Sequence, residues 1–355
     1  MAAGIYIGST AGYSGKNMIV MGIGLRLQKD GLNVGYMKPV GAMPQEHEGV
    51  LGDEDAFFVQ NVLGLKEDPT QVTPVVVTQD FKVKAFSGQC DTLLPDIVAA
   101  YQKLAQGRDA MIVAGSGSMY SGRYCRLHGI EVAKALGLKA VVIDRLHKEM
   151  LDYDYLVVLK DAMGDNLAGV ILNDIPNTLM GEVQTLIKPF LEQHGVKVLG
   201  VIPRDPLMGA IKVADLAERL GGKIISAHNK ADKVVENFLI GTMQVENFMT
   251  HFKKHKNSAV IVGGDRSDVQ LVALEGSCPC LVLTGNLYPN DIILTRSEVL
   301  SIPIVVVRDD TYTVAKKMEN ILSRHKLRDM IKIKQGAQLV STAIDFDHLK
   351  KAMGL

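Results

Sequence analysis

Apolar residues in this chain come in short bursts separated by stretches with helical spacing. Ile5-Tyr6-Ile7 and residues 33–38, 109–114, 139–144, 167–173 and 197–202 each predict a strand. Between them, Ile19, Val20, Ile23 and Leu27 fall on one helical face, as do Leu179, Val183, Leu186, Ile187 and Phe190. Residues 93–104 and 211–220 also read as helices. Such alternation predicts an α/β fold with a mostly parallel sheet covered on both faces. The C-terminal strand ends then line one crevice, where ligands bind. Residues 71–89 carry no sharp signal and read as an irregular excursion.

From Lys223 the rhythm restarts, with apolar runs at 259–262, 280–284 and 304–307. A second, smaller α/β domain follows from that pattern. With a break at Gly221-Gly222, the expected domains are 1–222 and 223–340, with a frayed tail helix over 341–355.

The stretch Gly8-Ser9-Thr10-Ala11-Gly12-Tyr13-Ser14-Gly15-Lys16-Asn17 joins the first strand to the first helix. Free N–H groups of the first turn, the positive end of the helix dipole and a lysine converge there, an arrangement suited to phosphate. The usual phosphate loop has Gly, four residues, then Gly-Lys-Ser/Thr. Here Thr10 stands at the first glycine, Gly8 lies two residues upstream, and Asn17 replaces the hydroxyl that binds Mg²⁺. An ordinary Gly/Ser turn capping a helix would look similar; the agreement of strand, loop, lysine and helix favours phosphate.

Composition narrows the partners. At 355 residues, two domains are the prior, and 47% hydrophobic residues suffice to bury both. Lys+Arg 39 against Asp+Glu 39 leaves no net charge, which disfavours nucleic acid or an acidic membrane and favours a small polar ligand. No basic, then apolar, leader is seen and no run reaches a membrane span, so a cytoplasmic protein is expected. Cys90, Cys125, Cys278 and Cys280 form no zinc pattern and are expected as buried free thiols; the histidines lack a His-Glu-x-x-His spacing.

The run from Gly8 to Lys16, followed by Tyr36-Met37-Lys38-Pro39-Val40, resembles the dethiobiotin-synthetase-like phosphate-loop domain at the N-terminus of long phosphotransacetylases. The turns Met243-Gln244-Val245-Glu246-Asn247, Gly263-Gly264-Asp265-Arg266-Ser267-Asp268, Leu283-Thr284-Gly285-Asn286 and Asp310-Thr311-Tyr312-Thr313 resemble the DRTGG domain that follows it. The namesake motif is not preserved; the corresponding region reads Phe238-Leu239-Ile240-Gly241-Thr242. The resemblance extends to about Gly336. It implies a P-loop NTPase-like domain that binds ATP or another nucleotide, with Mg as an accompanying ion. Gly8, Ser9, Thr10, Gly12, Tyr13, Ser14, Gly15, Lys16 and Asn17 would cradle phosphate, and Lys38 would face phosphate or a carboxylate substrate. Asp55, in the acidic helix start Asp53-Glu54-Asp55, matches the family's magnesium aspartate, although capping alone explains such a run. Asn173 matches a base-recognising asparagine, although Asn-Asp-x-Pro equally sets a turn.

Two departures bear on chemistry. Asn17 stands for the metal-binding hydroxyl and Ala114 for a strand-end carboxylate. Phosphoryl transfer depends on positioning and on neutralisation by the metal, so binding with weak or no hydrolysis is expected. The first functional expectation is a stand-alone nucleotide-binding regulator or sensor, acting on a small metabolite signal or a partner enzyme, with a homo-oligomer as the expected assembly. The second is an ATP-dependent ligase resembling dethiobiotin synthetase, with Lys16 and Lys38 as catalytic cations. The third is a scaffold with a relic loop. These 355 residues leave no room for the acetyl-transferring domain, so acetyl transfer by this chain alone is not expected.

Overall fold

The structure, a computed structural model, describes residues 2–89, 93–146, 153–255, 257–323 and 330–355. Two compact units are present, one of residues 1–204 with 327–355 and one of residues 205–326.

The first unit is built on six strands: β1 (Ala3–Ser9), β2 (Val34–Met37), β3 (Ala110–Ala114), β4 (Lys139–Arg145), β5 (Leu167–Ile175) and β6 (Val198–Pro203). All run parallel in the order β6-β5-β4-β1-β3-β2. Strands covered on both faces become near-continuous apolar runs, and Ile5, Ile7, Met111, Ile112, Val141 and Ile143 are all fully buried. The chain leaves β1 toward β2 on one side and later fills β4 to β6 on the other. β1 is therefore the strand at which the order reverses, and its C-terminal end faces the crevice that such a reversal opens.

Helix α1 (Lys16–Lys29) follows β1, and its apolar face of Ile19, Val20, Ile23 and Leu27 is fully buried. The stretch after β2 holds a hairpin of Pro44–His47 with Val50–Asp53, then helix α2 (Glu54–Leu63), which Asp53 caps through the N–H groups of Asp55 and Ala56.

Four features differ from the sequence expectation. Residues 71–89, read as an irregular excursion, contain the helix Gln79–Phe86, which Thr78 caps through the Phe81 N–H. The helix after β5 contains a π-helical turn, Val183–Ile187. That wider turn shifts the phase of the stripe, so Val183 and Leu191 are buried while Leu186 is 62% exposed. The C-terminal residues are not a frayed tail. The helix Met330–Ala343 lies on α1, with Val340 over Gly22, and Ile344 bridges to Gly200 of β6. The helix Phe346–Met353 then buries Phe346, Leu349 and Met353 and is capped by Asp345.

The units part after Arg204 rather than at Gly221-Gly222. Residues 211–220, expected to close the first domain, fold with the second unit. Ile211 pairs with Val235, and Val213, Leu216, Ala217 and Leu220 share a core with Ile261, Val282 and Val305.

The second unit contains β7 (Lys223–Ser226), β8 (Asn237–Ile240), β9 (Ser258–Gly263), β10 (Leu281–Thr284) and β11 (Ile304–Val306). Their order is β7-β11-β10-β9-β8, parallel except for the edge strand β7. A hydrophobic cluster covers each face of this sheet.

Cys125, Cys278 and Cys280 are buried free thiols, and Cys90 lies outside the described residues. Among the described residues no helix is long and apolar enough to cross a membrane.

Candidate functional site

The loop between β1 and α1 rises from the strand end at the sheet's point of reversal. Gly8 is set into β1 against the Met119 side chain, which a Cβ there would displace. Ser9 is fully buried, with its hydroxyl 2.8 Å from both Ala11 O and Gly117 O. Thr10 donates to Asp144 Oδ1 at 2.6 Å, which ties the loop to β4. Gly12 and Tyr13 are exposed at the tip, and Ser14 is buried with its hydroxyl on Ala11 O at 2.8 Å.

Tyr13 and Gly15 adopt left-handed backbone, at φ 58 and φ 87. Alternation of this kind turns successive N–H groups inward and forms an anion-binding nest. A side chain at Gly15 would be strained by that φ and would also strike Asn173. The first helical bond of α1 runs from Ile19 N to Gly15 O, which leaves the N–H groups of its first turn without intrahelical acceptors.

Lys16 opens α1, and its ammonium donates to Ser9 Oγ at 2.5 Å and Gly117 O at 2.9 Å. Burial first, then the nearby Lys38 ammonium, lower its pKa to about 7, with Asp55 partly offsetting them. A lysine so desolvated gains most from an arriving anion, which supplies the counter-charge that its surroundings lack.

Lys38, just past β2, is buried and meets Asp53 Oδ1 at 2.6 Å and Asp55 Oδ2 at 3.3 Å. Asp53 also accepts from the backbone of Asp55 and Ala56 on Oδ1 and of Met43 on Oδ2. Expected from the resemblance to face phosphate or a carboxylate substrate, Lys38 has its charge met here by two carboxylates of the chain. The Tyr36 hydroxyl is buried without a hydrogen-bond partner, and burial, with Asp53 and Asp55 adding to it, pushes its pKa well up.

Asn173, at the end of β5, is buried and donates its amide to Ser14 O at 2.9 Å. Its observed contact therefore braces the loop from below. Asn17 is half-buried in the first turn of α1.

Among the described residues the carboxylates near the loop are already engaged. Ala114 ends β3 without a carboxylate, both Asp53 oxygens are engaged, Asp55 is paired with Lys38, and two ammoniums stand close by. Magnesium sites normally use one or two carboxylates together with phosphate oxygens and waters. Among the described residues there is no cluster of three or more acidic, His or Cys side chains able to hold a metal.

Three residues at this site carried little sequence signal. Asp144 and Arg145 end β4 as a charged pair after an apolar run, a pattern that marks a strand end at the crevice. Asp53 showed only as a helix cap, and nothing local announces its pairing with Lys38. Beside this region opens a cavity of about 400 Å³, lined by Leu51, Thr73, Val76, Thr78 and Phe81 among others. The Thr73 hydroxyl is buried there without a partner.

Two family models match: an AAA domain over residues 3–212 and a DRTGG domain over residues 215–321. Over 98% of its length the chain is 24% identical to the phosphate acetyltransferase of Nitratidesulfovibrio vulgaris, covering 51% of that protein. It is 22% identical, also over 98% of its length, to the phosphate acetyltransferase of Synechocystis, again covering 51%. The chain thus spans about half the length of these relatives. The ATP-dependent dethiobiotin synthetase BioD of Methanocaldococcus jannaschii is 29% identical over 56% of this chain and 92% of that protein. The order of the two matched models is that of the two α/β units, and the phosphate loop lies at the start of the first. This chain belongs to the AAA domain family, with a P-loop NTPase-like first unit followed by a DRTGG domain, and is a homologue of half of the phosphate acetyltransferases.

Proposed function

We propose that the 8–17 loop binds the phosphates of a nucleotide, ATP in the first instance, and that the chain serves as a regulator or sensor with weak or no hydrolysis. The observation that carries this reading is Lys16, desolvated at the mouth of a backbone nest. Membership in the AAA domain family supports nucleotide binding. Asn17 and Ala114, standing where the resemblance expects a metal-binding hydroxyl and a carboxylate, support binding with weak or no turnover. Phosphate acetyltransferases carry this region within longer chains, which favours a role alongside an acyl-transferring enzyme or in response to its metabolites.

A second reading, ATP-dependent activation of a carboxylate, is favoured by the cavity next to the Lys38 cluster. In that case Lys16 and Lys38 hold phosphate and carboxylate, Asp55 turns to a nucleotide-borne magnesium, and the cavity holds the body of the acid.

Melting curves with ATP, with and without magnesium, together with a phosphate-release assay, separate these readings. At 100 times its Kd, ATP raises stability by about 2.7 kcal/mol. A shift that survives chelation of magnesium, without phosphate release, supports the sensor. Phosphate release that depends on an added carboxylic acid supports the ligase. A shift that persists in Lys16→Ala overturns the placement of the nucleotide at this loop.

A further inference from the structure

The phosphate loop is also held from the flank, by a chain of charged contacts that ends where the polypeptide leaves the first unit. Arg145 donates from Nη1 to Tyr13 O at 3.1 Å. The same guanidinium reaches Asp174 Oδ2 from Nε at 2.9 Å and from Nη2 at 2.8 Å. The other oxygen of Asp174 accepts from Arg204 Nε at 3.0 Å. Arg204 is the residue at which the chain first leaves the first unit, and its backbone N–H is fixed on Ile175 O at 2.7 Å.

Two properties make this chain more than surface pairing. Asp174 sits at φ 62, a conformation that costs energy for a residue with a side chain, and its carboxylate is shared by two guanidiniums. Arg145 is a planar fork that holds a carboxylate and a carbonyl in one fixed geometry, where lysine would offer a rotatable point charge. The side chains of Arg145 and Asp174 are 25% and 19% exposed, and that of Arg204 is 44% exposed. The outer link is the one that water or another partner replaces most easily.

We propose that Arg145 is a positioning residue for the phosphate loop and that Arg204, acting through Asp174, sets Arg145. The shape of the Tyr13 peptide, and with it the nest, then follows the state of the chain at 204–205. The proposal deepens the nucleotide reading and rests on it only for the effect on affinity.

The chain has no tryptophan, so Tyr13→Trp in the full chain gives a single reporter on the loop that keeps the backbone carbonyl. Its emission and its quenching by acrylamide are compared in Arg145→Ala, Arg145→Lys, Asp174→Asn and Arg204→Ala backgrounds, without nucleotide. Asparagine tolerates the left-handed backbone, so Asp174→Asn removes the charge and not the conformation. Quenching is expected to rise most in Arg145→Ala, less in Arg145→Lys and Asp174→Asn, and least in Arg204→Ala. ATP affinity, read by titration, falls about tenfold in Arg145→Ala through loss of one charge-assisted contact to the loop. Emission and quenching identical to the parent in Asp174→Asn and Arg204→Ala, with both variants folded, overturn the relay. A reporter that moves in a protein that does not bind ATP supports the relay and removes the nucleotide reading.

Discussion

The side-chain amide of Asn173 donates to the carbonyl oxygen of Ser14 at 2.9 Å, so the end of β5 supports a loop 159 residues earlier in the chain. A peptide carbonyl pinned from beneath keeps the neighbouring N–H groups turned toward the crevice. The loop's shape is thereby set by strand pairing across the sheet as well as by its own glycines.

Asn173→Ala leaves Ser14 O without that donor, and an unsatisfied buried polar group costs about 1–3 kcal/mol. Asn173→Asp is expected to be worse, because a carboxylate then faces a carbonyl. Denaturant unfolding should rank the variants as wild type, alanine, aspartate, and the ATP-induced melting shift should shrink in the same order. Equal stability of the alanine variant would show that Ser14 O does not depend on this contact.

The low pKa of Lys16, about 7 against an ordinary 10.5, fixes two signs. Between those values the unfolded chain holds a proton that the folded one has released, so stability rises with pH from about 7 to 10.5. A phosphate beside the amine restores its charge, so binding takes up a proton and ATP affinity falls as pH rises above about 7. Calorimetric titration at pH 8 in buffers of different ionisation heat should report an uptake approaching one proton. Lys16→Arg, charged at every such pH, should abolish it. No uptake in the parent would mean that Lys16 is already charged in the free protein.

The legible parts of the molecule were those fixed by local pattern. Doubly covered strands turn into apolar runs, and Ile5-Tyr6-Ile7 followed by a glycine loop and Lys16 placed the crevice at the end of β1. What escaped the sequence was fixed by partners far along the chain. Gly221 is a genuine turn signal, with φ 64 at the end of helix Val213–Leu220, yet it caps a helix inside the second unit and marks no boundary. The pairing of Lys38 with Asp53 was not legible, because Asp53 already had an obvious capping role. Asp53 has oxygens enough for both, and only the fold brings the ammonium to it.

Lys38 and Asp53 form a buried pair, and removing one partner strands the other's charge. Lys38→Met is expected to destabilise by about 3–5 kcal/mol, toward the low end because Asp53 keeps its backbone donors. The double variant Lys38→Met with Asp53→Asn should recover much of the loss, since asparagine still accepts from the helix start and carries no charge. Urea unfolding of the four proteins gives the coupling. Additive losses would mean that the two charges are separately solvated.

The packing of the C-terminal helix on α1 gives a test whose sign reverses. A Cβ at Gly22 would lie 2.6 Å from Val340 Cβ and 2.8 Å from both of its methyl groups, and neither backbone has slack inside a helix. Alanine in place of a mid-helix glycine ordinarily gains up to about 1 kcal/mol. At Gly22 the overlap should cost about 1–3 kcal/mol and outweigh that gain. Val340→Gly destabilises by itself, through the lost side chain and the added backbone freedom, but it clears the space. In that background Gly22→Ala should turn stabilising, and urea unfolding of the cycle should show a large favourable coupling. If Gly22→Ala stabilises the parent chain as well, the helix Met330–Ala343 is not seated on α1, and residues 330–355 do not complete the first unit.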